Sequence, residues 1–175
     1  MKIDSICWRV RGQKRLGVRY APSQLKKSAP ALLMFHGFPG AEKNVDIARA
    51  MTEEGWVCFL PHFRGSWGSH GKYSFSGILE DAQEAFHWLR RDPQVDSARL
   101  AVLGFSMGGW AAINLASREK KILAVVALAP MAGSRQWFHA QSKAHFFELS
   151  KALDCVEPKI LWEEFKKSID KDINS

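Results

Sequence analysis

The sequence has few features of secreted, metal-binding or membrane proteins. Its 175 residues include three scattered cysteines, Cys7, Cys58 and Cys155, without metal-ligand spacing. We therefore expect a reducing, cytoplasmic location, with Cys7 and Cys58, in predicted strands, as small core residues. No apolar run is long enough to span a membrane, and residues 1–5 are not followed by an apolar block. We therefore expect neither a signal peptide nor a membrane partner.

The positive charge is not concentrated in one region. The net charge is +7, but the basic pairs lie far apart, at 26–27, 90–91, 120–121 and 166–167. A nucleic-acid-binding protein more often gathers such residues on one face or in one stretch. We interpret the charge as a solvated surface and expect no nucleic-acid partner.

Apolar runs and helical periodicity alternate along the first 130 residues. Strands are predicted over 5–11, 16–21, 32–35, 56–60, 99–103 and 122–129, and helices over 45–54, 78–90 and 107–118. The first two strands are expected to pair antiparallel around Gly12. The later alternation predicts an α/β fold, with a mostly parallel sheet and helices on both faces. The length suits one domain with a substantial core.

The most informative motif has the form G-x-S-x-G and spans residues 104–108, with Ser106 at its centre. It stands between a predicted strand and a predicted helix. In that context the serine lies on a sharp turn that exposes its hydroxyl group above the sheet, and this arrangement is typical of a nucleophile. Small residues are needed beside it because the turn leaves little space for side chains.

A second motif follows the apolar run at 31–35 and reads His36-Gly37-Phe38. His36 precedes Ser106 in the chain and lies at a strand end. We therefore interpret it as a residue that braces the loop through hydrogen bonds rather than as the catalytic base.

These motifs resemble those of the α/β-hydrolases, nearest to the dienelactone hydrolase and prolyl oligopeptidase-like (peptidase S9-like) branch. The resemblance spans roughly residues 30 to 130 and is carried, in the family's order, by 35–38, 63–69, 95–96 and 104–109. It implies an α/β-hydrolase fold, with Ser106 as nucleophile and the backbone N–H groups of Phe38 and Met107 as the oxyanion hole. The implied reaction is hydrolysis of a small-molecule ester, thioester or amide through an acyl-enzyme, without metal or organic cofactor.

The loop at 61–71 leaves a strand at its carboxyl end, where α/β proteins bind their ligands. We therefore place His62 and Trp67 at the substrate pocket, together with His36 and Trp137. His62 and His70 lack a third ligand at suitable spacing, so a structural loop is favoured over a metal site.

Residues 131–175 differ from the core formed by residues 1–130. Aromatic residues are scattered through them without a strand signal, and apolar residues then recur at every fourth position from Leu161 to Ile173, as in an amphipathic helix. By resemblance this segment is a helical cap over the active site, not an independent domain.

The catalytic triad is incomplete by the family's pattern, in which an acid and then a histidine follow the serine. Only His139 and His145 follow Ser106, and Glu119 is the only acid before them. Glu119 ends the predicted helix, about 20 Å from the serine at 1.5 Å per residue, too far to orient a base there.

Three explanations stay open. The chain is a C-terminally truncated hydrolase, it recruits His139 or His145 from the cap, or it is a non-catalytic binding or scaffold protein. An acyltransferase or perhydrolase would share the same serine chemistry. Truncation predicts an exposed sheet edge, and through it a homodimer.

Overall fold

The computed structural model describes residues 1–25, 27–41, 43–131 and 140–171. These residues form six strands and five helices. In chain order they are β1 (Lys2–Val10), β2 (Gln13–Ala21), β3 (Ala29–Phe35), α1 (Val45–Glu53), β4 (Val57–Pro61), α2 (Phe75–Arg90), β5 (Val95–Phe105), α3 (Met107–Arg118), β6 (Ile122–Leu128), α4 (Ala140–Ser150) and α5 (Pro158–Lys171).

The strands form one sheet in the order β1-β2-β4-β3-β5-β6. β1, β2 and β4 pair antiparallel, whereas β4, β3, β5 and β6 are parallel. The predicted α/β fold with a mostly parallel sheet is confirmed. Phe35 pairs with Gly104, and Phe105 pairs with Leu128. The carboxyl ends of β3, β5 and β6 therefore meet at one edge, where α/β proteins place their sites.

Alternate residues of the central strands face two separate cores. Leu33 and Phe35 of β3 belong to the larger core, which includes residues of α2 and α3. Leu32 and Met34 face a smaller core that includes Ala48 of α1. Helices thus cover both faces of the sheet, as predicted, because successive strand side chains point to opposite sides.

The same alternation explains why one cysteine prediction is wrong. In β1 the even-numbered Trp8 and Val10 are buried, so the odd-numbered Cys7 points outward and is exposed. Cys58 of β4 is buried, as expected. Because β4 is an interior strand, both of its faces are covered.

Helix α2 begins three residues before its predicted start. The Ser74 hydroxyl accepts a hydrogen bond from the Gly77 N–H at 3.2 Å, which caps the helix. The helix ends at Arg90, before Asp92 and Pro93, as the sequence predicts.

Helices α4 and α5 and their connection, which we call the cap, pack against the core. The Asp154 N–H donates to the Gly65 carbonyl at 2.8 Å, and the Tyr73 N–H donates to the Asp154 carbonyl at 2.7 Å. The Glu164 carboxylate of α5 accepts from the Phe75 N–H at 2.8 Å at the start of α2. A carboxylate is favourable at a helix N-terminus, so this contact ties the cap to the core.

Strand β6 lies at one edge of the sheet, where it pairs with β5 in the described part of the chain. Three of its apolar side chains are exposed, namely Leu123, Val125 and Val126. Leu123 is the most accessible, with 68% of its surface exposed. In the ranges that the structure describes, no helix is long and apolar enough to cross a membrane.

Candidate active site

Ser106 lies between β5 and α3 in a strained backbone conformation. Its φ is 53° and its ψ is −118°, values that a residue with a side chain rarely adopts. Its N–H donates to the Leu128 carbonyl at 2.9 Å, and its carbonyl accepts from the Met131 N–H at 2.9 Å. Ala129, between these partners, also has a positive φ of 41°. Such strain persists only where the surroundings enforce it, and it is typical of functional sites.

The two glycines that flank the serine at i−2 and i+2 permit this turn. A Cβ atom on Gly104 would lie 2.0 Å from the Gly108 carbonyl oxygen. A Cβ atom on Gly108 would lie 2.3 Å from the Phe35 carbonyl oxygen and 2.6 Å from that of His36. The start of α3 therefore packs directly against the end of β3, which no larger residue would allow.

This packing brings the two predicted oxyanion donors to the same place. A Cβ atom on Gly37 would be 3.3 Å from the Cβ of Ser106, so the loop after β3 borders the serine. The Met107 N–H is the first of α3, and the first N–H groups of a helix have no acceptor within it. Among the described residues, no turn or loop hydrogen bond uses the N–H of Phe38 or of Met107. Neither N–H group therefore has an acceptor in the described turns and loops.

Ser106, Phe38 and Met107 line one cavity of about 440 Å³. Its floor comes from the ends of β5 and β6 and from α2, and its roof comes from α4 and α5. Its wall is almost entirely apolar, with 14 lining residues: Phe38, Phe75, Phe105, Ser106, Met107, Ala129, Pro130, Met131, Ser142, His145, Phe146, Leu149, Trp162 and Phe165. A cavity of this size suits a small-molecule ligand.

Three other predicted pocket residues lie together outside this wall. His36 is buried, its Nδ1 is 2.8 Å from the Gly37 carbonyl, and its Nε2 accepts from the Phe63 N–H at 3.4 Å. Burial lowers the pKa of His36 to about 4, so the ring is neutral. These bonds join the loop after β3 to the loop after β4.

His62 and Trp67 lie on the same side as His36. Burial and the nearby Lys43 ammonium lower the pKa of His62 to about 4. Lys43 Nζ lies 3.8 Å above the Trp67 ring, a cation–π contact. The structure therefore does not bring His62 or Trp67 to the cavity that Ser106 lines.

The remaining candidates lie in or beside the cap. Trp137 and His139 are outside the described residues. His145 lines the cavity with Ser106, the only one of the described histidines to do so. Glu119 caps the far end of α3 and lies 3.4 Å from His87. No aspartate or glutamate lines the cavity in the part of the chain that the structure describes.

A buried ion cluster supports the loop between β4 and α2. The Asp81 carboxylate accepts hydrogen bonds from Arg15 Nε at 3.0 Å and from the Arg64 N–H at 2.7 Å. Arg64 Nη2 also donates to Asp81 at 2.8 Å and to Glu80 at 2.6 Å. Sequence reasoning missed this cluster. Its one signal in the sequence was a carboxylate at position 81, among the apolar Ile78 and Ala82 of the predicted helix over 78–90.

The site does not suggest a metal centre. Among the residues described, no three His, Cys, Asp or Glu side chains come together to hold an ion.

A mostly parallel sheet with a strained serine between strand and helix, beside a glycine-containing loop, defines the chain as an α/β-hydrolase. The model of the X-Pro dipeptidyl-peptidase (S15) family matches residues 14–156, so the chain belongs to that family.

Several known proteins are similar to part of this chain. An uncharacterized protein of Mycobacterium tuberculosis is 36% identical over 103 residues, 58% of this chain and 37% of its own length. A polyketide transferase of a Penicillium species is 30% identical over 111 residues, 60% of this chain and 38% of its own. The crystal structure of the α/β-hydrolase GrgF from Penicillium has a TM-score of 0.70 at 25% identity, over 86% of this chain and 53% of that one. The chain spans about half the length, or less, of these relatives.

Proposed function

We propose that the chain is a serine hydrolase that cleaves an ester, thioester or amide through an acyl-enzyme at Ser106. The observation that carries this proposal is the meeting, at one cavity, of a strained serine and two available N–H donors. Strain at the serine and unused donors beside it cost free energy in the folded state, which a purely structural turn would not require. We also propose that, within the α/β-hydrolases, the chain is most similar to the dienelactone hydrolase and prolyl oligopeptidase-like branch.

In the proposed reaction Ser106 Oγ attacks the carbonyl carbon of the substrate, and its proton passes to a base. The oxyanion that forms accepts hydrogen bonds from the N–H groups of Phe38 and Met107, which stabilise it more than the planar carbonyl. The leaving group departs with the proton, and water then hydrolyses the acyl-enzyme.

The base in this proposal is His145, because it is the described histidine that lines the same cavity. No carboxylate lines the cavity among the described side chains, so nothing there orients the imidazole as the acid of a triad does. We therefore expect slow turnover, in which the oxyanion hole supplies most of the catalysis.

Labelling with a fluorophosphonate probe, measured by intact mass, tests the nucleophile. We expect one adduct on the wild-type protein and none on Ser106→Ala, with Ser117→Ala as the matched control on the same helix. His145→Gln is expected to slow labelling at least about tenfold, since a positioned base contributes 100-fold or more, whereas His70→Gln in an exposed loop is not. Labelling that persists in Ser106→Ala would contradict the proposal.

Two alternatives have support of their own. The absence of a carboxylate from the described part of the cavity wall favours a non-catalytic binding protein, which would bind ligands in the cavity but stay unlabelled. The name of the Penicillium relative favours transfer of the acyl group to an acceptor other than water. Adding an alcohol or thiol acceptor to an acylated protein tests this, because transfer would give a new ester or thioester product.

A further inference from the structure

We propose that the substrate of this site carries an uncharged, apolar acyl group, and that the cap selects it through Phe146. This inference rests on the proposed function. An apolar acyl substrate would differ from the X-Pro peptide substrates for which the family is named. It is drawn from the composition of the cavity wall and from the contacts of α4.

The described part of the cavity wall contains no fixed charge. Among the described residues that line the cavity there is no Asp, Glu, Lys or Arg, and His145 is the only titratable side chain. A dipeptidyl-peptidase substrate would bring its N-terminal ammonium into the site. An ion that loses its water without a partner of opposite charge is strongly disfavoured. A peptide with a free N-terminus is therefore a poor ligand here, whereas an aliphatic or aromatic acyl chain meets matching surface.

Phe146 links the roof of the cavity to the loop after β3 that contains Phe38, which we call the oxyanion loop. Its ring stacks on that of Phe38, with centroids 4.9 Å apart and planes 10° from parallel. It also stacks on Phe165 of α5 at 5.1 Å and contacts Phe75 of α2 at 6.4 Å. Phe146, which lines the cavity where the acyl group would bind, is thus packed against Phe38, the residue proposed to supply an oxyanion donor.

Contacts with the core hold the cap in place. Ser76 Oγ and the Phe75 N–H both donate to the Glu164 carboxylate at 2.8 Å. A Cβ atom on Gly65 would be only 2.2 Å from the Asp154 carbonyl oxygen, so the cap connection lies close against the core loop. Because the roof is fixed by these contacts, the cavity limits the size of the acyl group.

The chain offers a matched pair of variants. Phe146 and Phe147 are neighbours on α4, and both are packed against the core, but only Phe146 lines the cavity. Phe146→Ala enlarges the acyl space, whereas Phe147→Ala removes the same atoms outside it. Leu149→Phe, on the same wall, reduces the space and serves as the second variant if Phe146→Ala does not fold.

The experiment measures kcat/KM for p-nitrophenyl esters from acetate to dodecanoate. We expect about a fourfold rise with each added methylene until the cavity is filled, because each buried methylene contributes a similar transfer free energy. Phe146→Ala should shift the best substrate to a longer chain, Leu149→Phe to a shorter one, and Phe147→Ala should leave it unchanged. p-Nitrophenyl 6-ammoniohexanoate should react at least about 100-fold more slowly than the hexanoate.

Failure of this inference and failure of the proposed function are distinguishable. If Ser106 is labelled but the protein shows no chain-length preference, or prefers the ammonium ester or Ala-Pro p-nitroanilide, the proposed substrate class is wrong. The assignment of Ser106 as the nucleophile would still hold. Binding of methyl hexanoate to Ser106→Ala, measured by tryptophan fluorescence, supports the apolar site independently of turnover. No labelling and no such binding would overturn both.

Discussion

Replacing Gly108 by alanine tests whether the approach of α3 to β3 creates the oxyanion hole. The new Cβ would lie 2.3 Å from the Phe35 carbonyl oxygen, whereas ordinary contact begins at 3.4 Å. The helix start must therefore move by about 1 Å, and the Met107 N–H moves with it. A displacement of that size costs roughly 100-fold in rate when it separates catalytic groups. The overpacking itself costs about 1–3 kcal/mol of stability.

Gly109→Ala is the matched control, one residue further along the same helix. Its Cβ would lie 3.0 Å from the Pro130 side chain, 3.1 Å from the Pro130 Cα and 3.1 Å from the Gly104 carbonyl oxygen, and shifts of a few tenths of an ångström relieve these contacts. Alanine also favours the helix by up to about 1 kcal/mol relative to glycine.

The assay for both variants is the rate of fluorophosphonate labelling, with urea unfolding measured in parallel. We expect Gly108→Ala to label about 100-fold more slowly than wild type at a protein concentration where it is folded. Gly109→Ala should stay within about threefold, since its contacts require a displacement of only a few tenths of an ångström. A folded Gly108→Ala that labels at the wild-type rate would refute the assignment of Met107 to the oxyanion hole.

Three further predictions concern stability and association. Burial lowers the pKa of His36 from 6.5 to about 4, so below pH 6.5 the unfolded chain binds a proton that the folded chain does not. The His36 contribution to the free energy of unfolding should fall by about 3 kcal/mol between pH 6.5 and pH 4, and His36→Gln should remove this part of the pH dependence. Asp81→Asn should lower the free energy of unfolding, measured with urea, by about 3–5 kcal/mol, because it leaves buried Arg15 unpaired. Glu80→Gln should lower it by about 1 kcal/mol or less. If the exposed edge strand β6 pairs with β6 of a second copy, sedimentation should detect a dimer, and Leu123→Lys should dissociate it. A wild-type protein that stays monomeric at high concentration would refute this.

The sheet and the nucleophile turn could be predicted because their signals are local. Apolar runs of strand length, helical spacing and the glycines at 104 and 108 together specify a strand, a sharp turn and a helix. The structure then shows what those glycines contact, namely carbonyl oxygens at the end of β3.

Other features depend on distant residues and left little trace in the sequence. Asp81 pairs with Arg15, 66 positions earlier in the chain, and no local pattern connects them. The contact of Phe146 with Phe38 likewise joins the cap to the oxyanion loop across 108 positions. The strand predicted around Cys7 suggests a core position, but the sequence does not show which face of this edge strand is covered.

The most direct test of the central claim is to trap the acyl-enzyme itself. The protein is mixed with p-nitrophenyl hexanoate and quenched in acid, and the added hexanoyl mass is located by peptide mapping. We predict one hexanoyl group on Ser106, formed as p-nitrophenolate is released and absent in Ser106→Ala. A hexanoyl group on another residue, or release of p-nitrophenolate that continues unchanged in Ser106→Ala, would contradict it.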